Sequence, residues 1–216
     1  ITGVAFFGYV LGNLASLITR LDHERENYLS TLDNVETFLK SHNINDTTKE
    51  KIRGYYRYVW DSKLGLGDKE VISKFPKQLA IEVSLGMNAG IIEKVPFLKD
   101  ADRALLENLA TQLKQQIAIP QELIFQLGDT GDAMYLIHHG EVEIVGHEEQ
   151  ILAVLGPGKF FGEMALIYNM PRRAAARSVD YTDLYVLPKD VFMENVKKFP
   201  SFEKTLMDIV NKREGP

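Results

Sequence analysis

The 216-residue chain contains no cysteine, which excludes disulfides and thiolate metal sites. Histidine is scarce as well. The five present show no metal-ligand spacing, and His138 and His139, adjacent on a candidate strand, point to opposite faces. No serine, histidine and aspartate stand at a spacing that argues for nucleophilic catalysis, so the sequence reads as a non-enzyme without a metal. Positive charge is also short. Lys and Arg number 25 against 30 Asp and Glu, a formal net charge of −5, which argues against a general nucleic-acid binder, whose affinity rests on neutralising phosphates. A P-loop is missing, because Gly158-Lys159 is followed by Phe160 instead of Ser or Thr. The spacing Gly156, Gly158, Gly162 is one residue too long for the dinucleotide fingerprint, and strands surround it instead of a βαβ unit. At 45% hydrophobic and 25% charged residues, the rest is ordinary globular material, enough for one large or two small domains.

What is present centres on Gly156 to Ser178, GPGKFFGEMALIYNMPRRAAARS. After a strand-like run, Gln150 to Leu155, glycines open a loop that feeds a short apolar turn, Met164 to Tyr168, led by Glu163. Missing Cβ atoms let the backbone approach a ligand, and free N–H groups at the start of the turn suit an anion. Pro171 stiffens a second loop that delivers Arg172 and Arg173, two permanently charged forks suited to phosphate oxygens. Glu163 would repel a phosphate, so it should face a neutral part of the ligand; a ribose hydroxyl, which can donate to a carboxylate, fits. Two readings stand for this stretch: a phosphate pocket, or glycine turns of an all-β domain with a solvated arginine pair.

Residues 1–19 carry no charge and are followed by Arg20. That is near the lower limit for a bilayer-spanning helix, and Gly3, Gly8 and Gly12 suit a membrane helix; the other reading is a buried helix of a soluble core. From Leu21 to Asp61 the pattern is helical, with Leu29, Leu32, Val35 and Leu39 as an apolar stripe, a break at Asn45-Asp46-Thr47, and an aromatic second helix carrying Ile52, Tyr55, Tyr56, Val59 and Trp60. Asn45 or Asp46 is the credible cap. Such a two-helix unit can hardly bury all of that surface, which makes a neighbouring subunit a natural cover. Further helices are expected over Lys77 to Leu85, Ala89 to Lys94 and Asp102 to Leu113, with boundaries at Pro76 and Pro96. The period then changes to two. Candidate strands are Gln116–Ile119, Leu123–Gln126, Met134–His139, Glu141–Val145, Gln150–Leu155, Ala174–Ser178 and Thr182–Leu187, separated by glycine turns. Two amphipathic helices, Lys189 to Lys198 and Phe202 to Arg213, follow, broken at Pro200.

The stretch FGEMALIYNMPRRAAARS resembles the phosphate-binding cassette of the cyclic-nucleotide-binding domain family, with its Phe-Gly-Glu, its small apolar helix and its Arg followed by small alternating residues, here Ala174, Ala176 and Ser178. LITRLD, VETFLKSHNI and KIRGYYRYVW resemble, in order and spacing, the end of the last pore helix and the C-linker of cyclic-nucleotide-modulated channels. Together these resemblances cover nearly the whole chain and imply a prokaryotic-type cyclic-nucleotide-gated or hyperpolarisation-activated-like potassium channel. The implied fold is α+β: the cytoplasmic end of a transmembrane helix (1–20), a helical C-linker (21–95), and an antiparallel, jelly-roll-like β-roll flanked by helices with a C-terminal lid (96–216). The resemblance assigns Gly162 and the Met164-Ala165 backbone to the phosphate region, Glu163 to the ribose and Arg172 to the cyclic phosphate. Arg173, Ala174, Val145 and Leu155 join them at the ligand. Arg213 falls where channel relatives place a base-contacting arginine; as a helix-end Arg it could instead serve the dipole. Arg173 departs from the family's usual Thr, Ser or Ala, which bears on the choice between cAMP and cGMP. The implied partners are a cyclic nucleotide, a homotetramer formed through the linker, and the membrane, with residues after about 20 in the cytoplasm. The rival assignment is a soluble cAMP receptor, either a transcription regulator or a kinase regulatory subunit.

Overall fold

Along Ala133–His139 successive side chains enter two different cores, and this strand organises the region around the site. A computed structural model describes residues 26, 28–42, 44–62, 71–99 and 101–214. The chain divides into two units, Ile1–Leu66 and Gly67–Pro216.

In the first unit, α1 (residues 28–41) and α2 (Asp46–Asp61) are joined by a short turn. Asn45 is the cap: its side-chain oxygen accepts from the Thr48 N–H at 2.8 Å, satisfying one of the donors a helix start leaves open. Arg53 reaches across to α1, donating through Nε and Nη2 to the Glu36 carboxylate at 2.5 and 3.0 Å. Tyr28 stacks on Trp60 with ring centroids 4.4 Å apart. Of the expected stripe only Leu39 is buried, while Leu29 is 51% exposed, and Phe38 and Trp60 also face out. Two helices have too little mutual surface to cover both apolar faces. Among the described residues no helix is long and apolar enough to cross a membrane, and the transmembrane reading of residues 1–20 lies outside the described residues.

The second unit begins with helices α3 (Lys77–Met87), α4 (Ala89–Lys94), α5 (Pro96–Lys99) and α6 (Arg103–Gln112). Proline opens α5, where its missing N–H costs nothing. Eight strands follow: β1 (Lys114–Ala118), β2 (Leu123–Phe125), β3 (Ala133–His139), β4 (Val142–Val145), β5 (Ile151–Leu155), β6 (Phe160–Phe161), β7 (Ala175–Ser178) and β8 (Thr182–Pro188). They form two antiparallel four-stranded sheets, in the orders β1-β8-β3-β6 and β2-β7-β4-β5. A short helix, α7 (Glu163–Ile167), lies between β6 and β7, and α8 (Lys189–Lys198) and α9 (Pro200–Glu214) close the unit. The architecture is thus mixed helix and antiparallel sheet, a β-roll flanked by helices.

Period-two alternation explains the double core. Ala133, Tyr135 and Ile137 of β3 point inward with Phe161, Val142, Ala176 and Leu184. Met134 and Leu136 point the other way, with Phe160, Tyr185 and Leu187, into a second cluster completed by Phe97, Leu109, Phe192, Phe202 and Leu206 of the helices. Buried on both faces, β3 reads as a continuous apolar run. All seven expected strands form within two residues of their anticipated bounds; β6, two residues long, was not anticipated, because Phe160-Phe161 sits inside a glycine loop and pairs only with Leu136 and Tyr135.

Candidate functional site

Gly162 is the hinge into the site. It caps α7 with φ +83°, a left-handed conformation that only glycine adopts at little cost. A Cβ there would stand 2.7 Å from Arg172 Nη1, so the glycine also makes room for the arginine. On the other flank, Gly131 lies so close to α7 that a Cβ would meet the Ala165 Cβ at 2.5 Å.

Arg172 is brought in from the loop after α7. Its backbone is clipped to the turn after β2: the Arg172 N–H donates to the Asp129 carbonyl at 2.8 Å, and the Gly128 N–H donates to the Arg172 carbonyl at 2.9 Å. Its side chain, 3% exposed, enters the roll. Nη1 donates to the Gly162 carbonyl at 2.6 Å, and Nη2 donates to the Ala133 carbonyl at 2.7 Å and to Asp132 Oδ1 at 3.3 Å. Nε is buried and makes no hydrogen bond. Burial pushes the guanidinium below its ordinary pKa, while Tyr135, Asp132 and Asp129 pull it back up. The carboxylate it is paired with at 3.3 Å, Asp132, is mostly in solvent. The result is a buried cation with an unsatisfied N–H donor, a combination that costs free energy unless an anion or acceptor meets it.

Glu163, the first residue of α7, is buried, close in sequence to the Gly162 carbonyl that Arg172 holds. Ala165 is buried and Met164 half-buried on the same short helix. Arg173 is exposed and Ala174 half-buried, so the two adjacent arginines have opposite environments. Ala176 and Ser178 are fully buried on β7, Ala176 within the inner core. Val145 ends β4, buried, and Leu155 ends β5, half-buried and packed against the inner core. Their strands pair directly, Val142 opposite Leu155 and Val145 opposite Ile151. Arg213 falls within α9, and its side chain lies outside the described residues. The structure therefore brings Gly162, Glu163 and Arg172 together, and leaves Arg173 at the surface beside them.

Residues that the sequence reading missed include Asp132 and the Ala133 carbonyl, which hold the guanidinium, and Phe125, whose ring centroid lies 4.1 Å from Arg172 Cζ. The repeated Gly-Asp pairs, Gly128-Asp129 and Gly131-Asp132, were the available signal, since carboxylates in glycine turns are candidate arginine partners. Among the described residues, no group of three or more His, Asp or Glu could hold a metal ion.

The site thus combines a β-roll, a buried arginine and the glycine that opens a short helix, and the same segment is where comparison with known proteins finds a match. Residues 119–199 match the family model described as "Cyclic nucleotide-binding domain", a binding domain and not an enzyme. The chain is 28% identical over 213 residues to a cyclic nucleotide-gated cation channel of Ictalurus punctatus, covering 95% of this chain and 31% of that protein. It is 26% identical over 213 residues to cyclic nucleotide-gated channel alpha-3 of Homo sapiens (95% and 31%), and 28% identical over 211 residues to cyclic nucleotide-gated channel alpha-2 of Rattus norvegicus (94% and 32%). The chain thus spans about a third of the length of these relatives.

Proposed function

We propose that the chain is the cyclic-nucleotide-sensing gating module of a tetrameric cation channel, with potassium as its ion. The observation that carries this reading is Arg172: a buried guanidinium with an unsatisfied Nε, inside the segment that matches the cyclic nucleotide-binding family. Arg172 is assigned to the cyclic phosphate, with Gly162 and the Met164-Ala165 backbone beside it, and Glu163 to the ribose hydroxyl. Val145, Leu155, Arg173, Ala174 and Arg213 are assigned to the rest of the nucleotide. Residues 96–216 form the binding domain in this reading, 21–95 the C-linker, and 1–20 the end of a membrane helix, with everything after about residue 20 in the cytoplasm. Ligand binding favours a state in which α9 closes over the nucleotide, and the difference in affinity between the two states biases the linker and so the pore. Similarity over 94–95% of the chain, far beyond residues 119–199, supports a channel module over a soluble cAMP receptor.

The preferred ligand is cAMP, with cGMP binding as well. A small hydroxyl at position 173 could bridge phosphate and guanine amino group, and Arg173 lacks that compact contact. Calorimetric titration with each nucleotide tests both claims: failure of both to bind at millimolar concentration overturns the reading, and cGMP binding at least tenfold tighter overturns the preference. Assembly is tested by the mass of the intact parent protein in detergent. The exposed Leu29, Phe38 and Trp60 support a tetramer held partly by residues 22–62, and a monomer alone would refute it.

A further inference from the structure

Beside Arg172 lies a cluster of three aromatic side chains that have no part in the assignment above. They come from different strands: Phe125 from β2, Tyr135 from β3 and Phe161 from β6. Tyr135 and Phe161 stack at 5.1 Å with an interplanar angle of 11°, and Phe125 meets both, at 5.8 and 5.9 Å. The Arg172 guanidinium carbon stands 4.1 Å from the Phe125 centroid and 5.9 Å from that of Tyr135. Phe125 is therefore the ring in face contact with the cation.

Two physical needs converge on that ring. The three hydrogen bonds from Nη1 and Nη2 lie near the guanidinium plane, so they fix the position of the group but resist tilt only weakly. A ring face packed 4.1 Å from the guanidinium carbon restricts that motion. The cation has also lost its water, its Asp132 partner sits in solvent at a long 3.3 Å, and the negative face of an aromatic quadrupole replaces part of that hydration. Phe125 also packs against the hinge, since a Cβ on Gly162 would meet its ring edge at 3.4 Å.

We propose that Phe125 is a positioning residue of the anion site: its ring face holds the Arg172 guanidinium in one plane, so that the unpaired Nε–H stays presented to an incoming phosphate. The inference rests on the reading that Arg172 grips the cyclic phosphate. Phe125 acts through its contact with the arginine, so its effect is on affinity through pre-organisation.

The test uses the full chain with three replacements: Phe125→Tyr, which keeps an electron-rich ring; Phe125→Leu, which keeps bulk without one; and pentafluorophenylalanine at 125, which keeps the shape and reverses the quadrupole. Calorimetry with cAMP gives affinity, and the ¹H–¹⁵N signal of Arg172 Nε reports ring current and the order of the guanidinium. A desolvated cation–π contact corresponds to about 3- to 30-fold in affinity. The Leu and pentafluoro variants should weaken cAMP by that factor and move the Arg172 signal, while Tyr stays within about twofold of the parent. A pentafluoro variant that binds cAMP like the parent overturns the proposal, as does an Arg172 signal unchanged by Phe125→Leu. If the parent itself binds neither cAMP nor cGMP, the functional reading fails by that result, and the Arg172 signal in the Phe125→Leu variant alone decides whether the ring fixes the guanidinium.

Discussion

Arg172 Nη1 and the Gly162 carbonyl are 2.6 Å apart, so the buried cation is fastened to the residue that starts α7, and neither can move without the other. Gly162 is consequently intolerant of a side chain on two counts. Its φ of +83° disfavours any L-residue, and a Cβ would press on Arg172 Nη1 at 2.7 Å. Gly162→Ala should destabilise the fold by about 1–3 kcal/mol, the usual cost of such backbone strain, and should also weaken nucleotide binding by displacing the arginine. Urea denaturation and calorimetry on the same preparation separate the two effects. Gly86→Ala is the control, because its Cβ would meet nothing within 4 Å.

Arg172 and Arg173 are neighbours with opposite fates, one buried and the other exposed. Truncating one member of a buried, hydrogen-bonded charge pair costs about 2–5 kcal/mol, roughly thirtyfold to several-thousandfold in affinity. A solvent-screened charge is worth about 1 kcal/mol or less. Arg172→Ala should therefore abolish tight binding, while Arg173→Ala changes it by less than about tenfold. Circular dichroism must show that both variants fold. Parent-like binding by Arg172→Ala would remove the phosphate assignment, and collapse only in Arg173→Ala would move it one residue along.

The burial contrast between the two arginines was not legible in Pro171-Arg172-Arg173 itself. It depends on Asp129 and Gly128, more than forty positions earlier, clipping the Arg172 backbone, and long-range pairing leaves no local periodicity. The same holds for Phe125, which scans as one more apolar strand residue until β2 and β7 pair and carry it beneath the arginine. Legible features were those written locally. A cap at Asn45 or Asp46, the Pro96 and Pro200 boundaries and the strand over Met134 to His139 follow from local sequence, as does the glycine-led turn at Phe161-Gly162-Glu163. Strand order was not among them, because β1 pairs with β8 and β2 with β7, closures between distant segments.

The proposed assignment of Glu163 to the ribose has its own test. Glu163→Gln keeps the shape of this buried side chain and removes its charge. Loss of a hydrogen bond to a charged group costs about 1.5–3 kcal/mol, so cAMP affinity should fall roughly tenfold to a hundredfold. Affinity for 2′-deoxy-cAMP, which lacks the hydroxyl, should hardly change. An equal loss for both ligands would show that Glu163 supports α7 without contacting the sugar.

His138 gives the second unit a pH dependence of predictable sign. Its half-buried ring packs edge-on against Tyr185, with centroids 5.8 Å apart, and its Nε2 lies 3.3 Å from where a Gly90 Cβ would stand on α4. Nδ1 is buried and has no hydrogen-bond partner. Burial lowers the pKa of the imidazole below the usual 6.5, Lys94 on α4 and His139 on β3 lower it further, and Asp183 on β8 opposes them. Above about pH 6.5 the ring is neutral in both folded and unfolded chains and costs nothing by titration. As pH falls below that value the unfolded chain takes up a proton that the folded chain resists, so stability declines through the window between 6.5 and the depressed folded value, and then levels off. Urea midpoints measured from pH 7.5 down to 5 should therefore drop more steeply for the parent than for His138→Phe, which cannot titrate. Parallel curves for the two proteins would show that His138 is not the group responsible.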